Sequence, residues 1–144
     1  HDVPAYCVSI GLWAHGAPAV GVIHDPRLNE VFTAATGLGA HLNGKPMKVS
    51  GVPRVADAML STGFPASYQK ALANLETWAK LLEHAQSLRR TGSTALNLAY
   101  VAAGRFDGYW AHDNYPWDVL AGAVLVAEAG GALTTIDGKP LDPF

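Results

Sequence analysis

The sequence predicts a mixed α/β protein built in layers, with an antiparallel strand meander over residues 1–50 followed by α/β crossovers over residues 51–144. Three observations carry that prediction. Apolar residues alternate with small or polar ones near the start, an amphipathic 3.6-residue period sets in around Trp78, and short strands and helices then alternate to the end. No internal repeat, low-complexity tract or flexible linker separates the two regions, so the 144 residues read as a single partial domain.

In "YCVSIGLWAHGAPAVGVIHDP", Val8, Ile10 and Leu12 alternate with Cys7, Ser9 and Gly11. A second apolar run, Ala19 to Ile23, follows the turn-forming "HGAP". That is a hairpin pattern. "DPRLNE" turns the chain into "VFTAA", and Asn43-Gly44 in "HLNGKPMKVS" suits a type I′ turn before another short strand. Beyond Gly51, Tyr68, Leu72, Leu75, Trp78, Ala79 and Leu82 recur at helical spacing, with Lys70, Glu76, Lys80 and Glu83 elsewhere on the wheel. An apolar-faced helix over about Ser67 to His84 follows. "SLRRT" reads as a strand, "STALNLAYVAAG" as a helix capped by Ser93 and stopped by Gly104, and "FDGYWA" as a strand. The helix opening at "PWDV" and a last strand, "GALTTI", complete the order.

Composition narrows the function. The chain is 49% hydrophobic and 15% charged, enough for one soluble core. Ten basic and twelve acidic residues give a formal charge of -2, spread without the basic stripe that nucleic-acid binding requires. The longest apolar stretch, Val119 to Ala129, is interrupted by Gly122 and Glu128 and is too short to span a bilayer, so no membrane partner is expected. One cysteine, Cys7, excludes an internal disulfide and fits the reducing cytoplasm. The chain starts at His1 without Met or a signal peptide and ends abruptly with the turn "IDGKPLDPF", so it is expected to be a piece cut at both ends from a longer protein.

Chemistry gathers at two helix starts. Pro116 suits the first helical position, which puts Asp118 at the third, where the positive end of the helix dipole favours a carboxylate. The rest of that helix is apolar or small all round and therefore buried, leaving its N-terminus as the functional end. Asp118 is a helix cap, a ligand, or both. Gly92, Ser93 and Thr94 place backbone N–H groups and two hydroxyls at a second helix start, suited to phosphate or sugar oxygens, although Ser93 also fits a plain N-cap. Arg89 and Arg90 alternate along a strand, so only one of them faces a given side. His112, Asp113 and Asp118 match no zinc spacing, and Cys7 lies in an apolar strand as an inert thiol. No nucleophile elbow, Walker loop or dinucleotide fingerprint occurs.

Together, "TGSTALNLAYVAAGRFDGYW" and "PWDVLAGAVLVAEAGG" resemble the C-terminal half of the inositol monophosphatase family, and the earlier segments "HDVPAYCVSIGL", "GVIHDPRLNEVFTA" and "GLGAHLNGKPMKVS" resemble that family's strands in order. The resemblance covers essentially the whole chain. It implies an incomplete layered sandwich like that of sugar phosphatases. It also implies a Mg²⁺-dependent phosphomonoesterase in which metal-activated water attacks a small phosphorylated metabolite, in a protein that is a homodimer when intact. Asp118 then matches a metal ligand that also lies near the substrate hydroxyls, and Gly92, Ser93 and Thr94 match the segment that contacts the substrate ring.

Two departures qualify what the resemblance implies. The family's first motif, of the form Asp-Pro-Asp/Ile/Leu-Asp-Gly-Thr, and a Glu upstream of it are absent from these 144 residues. Most metal ligands and the water-activating groups would lie there, so this chain alone is expected to be inactive. Ala111 stands where many inositol-phosphate members carry a ring-binding Glu, which leaves histidinol phosphate, fructose 1,6-bisphosphate and nucleotide-linked phosphates as alternative substrates. The opposing expectation is a non-catalytic homologue that binds or packs.

Overall fold

A computed structural model describes residues 2–141. The meander is a five-stranded antiparallel sheet in chain order, β1 (Val8–Ala14), β2 (Ala17–Asp25), β3 (Glu30–Ala35), β4 (Ala40–Leu42) and β5 (Lys45–Pro46). Its tight turns form where the sequence supplies residues that tolerate left-handed backbone. His15 and Gly16 have φ of 53° and 79°, and Asn43 and Gly44 have 48° and 76°, the paired positive values of a type I′ turn. Between β2 and β3 the buried Asp25 carboxylate accepts hydrogen bonds from the backbone N–H of Arg27 and Leu28 at 2.9 and 3.1 Å, which closes that turn.

The second sheet is parallel, in the order β7 (Ser87–Arg89), β6 (Met59–Gly63), β8 (Gly108–Ala111). Its central strand β6 is a finding that the sequence patterning did not anticipate. "MLSTG" neither alternates nor runs apolar, yet Ser61 and Thr62 are fully buried. Their hydroxyls are satisfied there: Thr62 Oγ1 donates to the Trp110 carbonyl at 2.7 Å, and Ser61 Oγ donates to the Gly108 carbonyl at 3.5 Å.

Three helices cover and join the sheets: α1 (Tyr68–Leu82) crosses from β6 to β7, α2 (Thr94–Ala102) from β7 to β8, and α3 (Pro116–Glu128) follows β8. α2 and α3 pack on each other, α3 against β1, β2 and β3, and α2 against β6 and β8, so the helix pair is a layer between the two sheets. Its core holds Leu96, Leu98, Ala99, Val124 and Leu125, with Ile23 and Phe32 from the meander. Gly122 permits the close helix contact, because a Cβ there would lie 2.5 Å from Leu98 Cβ. No helix among the described residues is long and apolar enough to cross a membrane.

Two expectations are corrected. α1 forms where the periodicity places it, but Tyr68, Leu72, Leu75 and Leu82 are exposed and the fully buried residue of the helix is Asn74. The Asn74 amide fixes that rotation by donating to the Gly63 carbonyl at 2.7 Å and to Thr62 Oγ1 at 3.1 Å. The segment "GALTTI" is not a strand. Thr134 makes an isolated bridge to Pro140 around a turn at Asp137-Gly138, and no strand among the described residues lies alongside to pair with it.

Candidate active site

The chemistry-bearing residues sit where the starts of α2 and α3 meet the C-terminal end of the parallel sheet. At α3, Tyr115 is the extended N-cap, Pro116 occupies the first helical position and Asp118 the third. Asp118 Oδ2 reaches back to accept from the Tyr115 N–H at 3.4 Å, while the Asp118 N–H donates to the Tyr115 carbonyl at 2.9 Å. The contact from the carboxylate is long and leaves most of its acceptor capacity free. Asp118 is half-buried, so it combines the helix dipole with access to solvent.

At α2 the three expected residues point to different places. Gly92 takes φ 103°, a left-handed value that suits glycine. Ser93 is the N-cap: its Oγ accepts from the Leu96 N–H at 3.3 Å and lies 3.7 Å from Cys7 Sγ. Thr94 Oγ1 faces β8 and the loop after it, 2.9 Å from the Tyr109 hydroxyl and 3.3 Å from Asn114 Oδ1. Thr94 and Asp118 thus line one cleft of about 340 Å³, together with Lys70, Asp113, Asn114 and Tyr115. Gly92 and Ser93 are not part of its lining. A larger cavity of about 690 Å³ lies beside β8 and the segment after α3, but it contains neither Asp118 nor Thr94.

Of the other candidates, His112 and Asp113 also line the cleft, whereas Arg89, Arg90 and Cys7 do not. Arg89 and Arg90 are both exposed; Arg89 donates to the Leu88 carbonyl, and the Arg90 guanidinium lies 5.9 Å from the centre of the Phe64 ring. Asp113 pairs with Lys70 Nζ at 2.5 Å rather than joining His112 and Asp118. Burial pushes the Cys7 thiol above its ordinary pKa, outweighing its contact with Ser93, so the sulfur stays protonated and unreactive at neutral pH. Sequence reasoning missed Lys70, Tyr109 and Asn114. Tyr109 carried the one available signal, a buried phenol that needs a partner for its hydroxyl.

A divalent cation such as Mg²⁺ takes about six oxygen ligands, several of them from water. Asp118 offers one carboxylate, and no group of three or more His, Cys, Asp or Glu side chains suited to a metal occurs among the described residues. These residues by themselves do not make a metal site.

Comparison with known proteins gives the family of this layered fold with its paired helix starts. The model of the inositol monophosphatase family matches residues 1–144, and the chain belongs to that family. Inositol-1-monophosphatase of Synechocystis is 46% identical over 143 residues, covering 99% of this chain and 50% of the relative. Nus factor SuhB of Escherichia coli K12 is 43% identical over 137 residues, covering 94% and 51%. The chain therefore spans about half the length of the curated relatives it matches. Among solved structures, inositol monophosphatase from Anabaena superposes with a TM-score of 0.90 at 47% identity, covering 96% of this chain and 56% of that one. More distant neighbours include SaIMPase-II with bound inositol monophosphate, at 27% identity and TM-score 0.83, covering 94% and 52%. An IMPase/NADP phosphatase complexed with NADP and Ca²⁺ matches at 26% and 0.84, covering 98% and 53%.

Proposed function

We propose that these residues are the C-terminal part of a Mg²⁺-dependent phosphomonoesterase that hydrolyses a small polar phosphate such as inositol monophosphate. The observation that carries this reading is the shared cleft. Asp118, held at the positive end of α3, and Thr94, at the start of α2, face the same space from two helices that meet there. A carboxylate with free lone pairs beside a hydroxyl suits one metal ligand and contact with substrate hydroxyls. Asp118 supplies one metal ligand and Thr94 one polar contact, while Gly92 and Ser93 shape the start of α2. The remaining ligands and the group that activates water come from residues outside this chain, so the 144 residues alone do not turn over substrate. The intact protein is a cytoplasmic homodimer in this reading.

A test is phosphate release from inositol 1-phosphate by the protein encoded by the full reading frame, with and without Mg²⁺, and by Asp118→Asn. Turnover is expected only with Mg²⁺. The substitution should reduce it by more than about a hundredfold, since even partners of metal ligands are worth 10–100-fold. Turnover unaffected by chelation or by the substitution would overturn the assignment.

A second reading is a binding role without turnover, favoured by a cleft in which Asp113 is already paired with Lys70, leaving Asp118 as the one carboxylate without a cation beside it, and by relatives that carry the name Nus factor. A folded full-length protein that binds inositol 1-phosphate but releases no phosphate from it would favour this alternative.

A further inference from the structure

The loop 112–115 between β8 and α3 is held from both sides. On one side Lys70 of α1 pairs with Asp113, whose φ of 64° is a conformation that residues other than glycine adopt at a cost. On the other, Thr94 Oγ1 donates to Asn114 Oδ1 at 3.3 Å. The direction of the next contact follows from proton count. A threonine hydroxyl has one proton, a carbonyl oxygen only accepts, and so the Tyr109 hydroxyl, 2.9 Å away, must donate to Thr94. Burial raises the pKa of Tyr109, which keeps that proton in place at neutral pH. Gly63 leaves room for the pair, since a Cβ there would stand 3.0 Å from the Tyr109 hydroxyl.

This relay runs Tyr109 to Thr94 to Asn114 and occupies the amide oxygen of Asn114. Nδ2 has no partner among the described residues, so its two protons remain for an acceptor in the cleft that Asn114 lines with Asp118. Ala111, at the end of β8 opposite Gly63, contributes only a methyl group. On this rim Asn114 thus offers a donor and Asp118 an acceptor, beside the Lys70–Asp113 ion pair, Ser67, His112 and Tyr115.

We infer that Asn114 is a specificity-determining contact to a hydroxyl or ring oxygen of a polyol phosphate, and that Tyr109 and Thr94 are the positioning residues that orient its amide. The inference rests on the phosphatase reading of the same cleft. It assigns the substrate a hydroxylated ring that accepts from an amide, which an aryl phosphate lacks.

The test uses the protein of the full reading frame with two substrates, inositol 1-phosphate and phenyl phosphate. Asn114→Ala is expected to lower the ratio of their kcat/KM values about three- to tenfold, the worth of one hydrogen bond, with the loss in KM for inositol 1-phosphate rather than in kcat. Thr94→Val should give the same split and Thr94→Ser, which keeps the hydroxyl, should restore most of it; Tyr109→Phe should move the ratio in the same direction. An equal effect on both substrates, or none, overturns the inference. Should the unsubstituted protein hydrolyse neither compound, the phosphatase reading falls, and calorimetric titration with inositol 1-phosphate still decides the role of Asn114. Binding about three- to tenfold weaker in Asn114→Ala upholds it; equal binding, or no binding by the unsubstituted protein, overturns it.

Discussion

Asp25 shows how one buried carboxylate holds two layers at once. Its Oδ1 accepts from the Arg27 and Leu28 backbone N–H groups, and its Oδ2 accepts from the Tyr100 hydroxyl at 3.2 Å, tying the β2–β3 turn to α2. Burial is the main reason the Tyr100 pKa is raised, followed by the nearby Asp25 charge, so the hydroxyl keeps its proton and donates throughout the neutral range. Removing the carboxylate would leave two N–H groups and a phenol without an acceptor. Asp25→Ala should therefore cost about 3 kcal/mol in urea denaturation, and Asp25→Asn, which keeps an oxygen for the two N–H groups, about 1 kcal/mol. Equal losses for the two variants would mean that shape rather than acceptance is what Asp25 supplies. The Asp25-Pro26 step was legible as a turn; the bond from Tyr100, 75 residues along the chain, was not, because no local pattern encodes it.

At the scale of elements, local chemistry and tertiary contact divide what the sequence shows. The turns at His15-Gly16 and Asn43-Gly44, the Ser93 cap and the Asp118 position are set by residues adjacent in the chain, and each forms where its residues stand. β6 and the rotation of α1 are set across space. Ser61, Thr62 and Asn74 look like surface residues until the carbonyls of Gly63, Gly108 and Trp110 receive their protons. The cleft is legible only in part for the same reason: Asp118 and Thr94 announce themselves at helix starts, whereas Lys70 reaches it from α1 and Tyr109 of β8 acts on it only through its contact with Thr94. The packing of α2 on α3 gives a test in which propensity and tertiary contact have opposite signs. Gly122→Ala favours an isolated helix by about 1 kcal/mol, but its methyl group would press on Leu98 and cost about 1–3 kcal/mol in overpacking and backbone shift. It should lower stability, as should Ala127→Gly at an exposed position of the same helix, where only propensity acts. A stabilising Gly122→Ala would show that the helix pair has room to separate.

For the whole molecule, the informative surface is the one left uncovered. β1 stands at the edge of the antiparallel sheet, and Val8, Ile10 and Leu12 along one face are 54%, 61% and 52% exposed. The alternate residue Gly11 faces inward, where any side chain would collide with Leu120 of α3. One face of β1 is thus committed to the helix layer, while the other presents an apolar row beside unpaired edge hydrogen-bonding groups. That combination favours association of strands from different molecules. Purified as these 144 residues, the chain should self-associate with increasing concentration and bind a hydrophobic dye. Replacing Val8, Ile10 and Leu12 together with Thr puts a β-branched residue suited to a strand at each position while removing apolar surface. The triple variant should reduce both association and dye binding, measured by light scattering and fluorescence, with the melting temperature changed by less than about 5 °C, since no core packing is lost. A larger drop in melting temperature would place the row in the chain's own core, and unchanged association would move the responsible surface to the exposed Tyr68, Leu72 and Leu75 of α1.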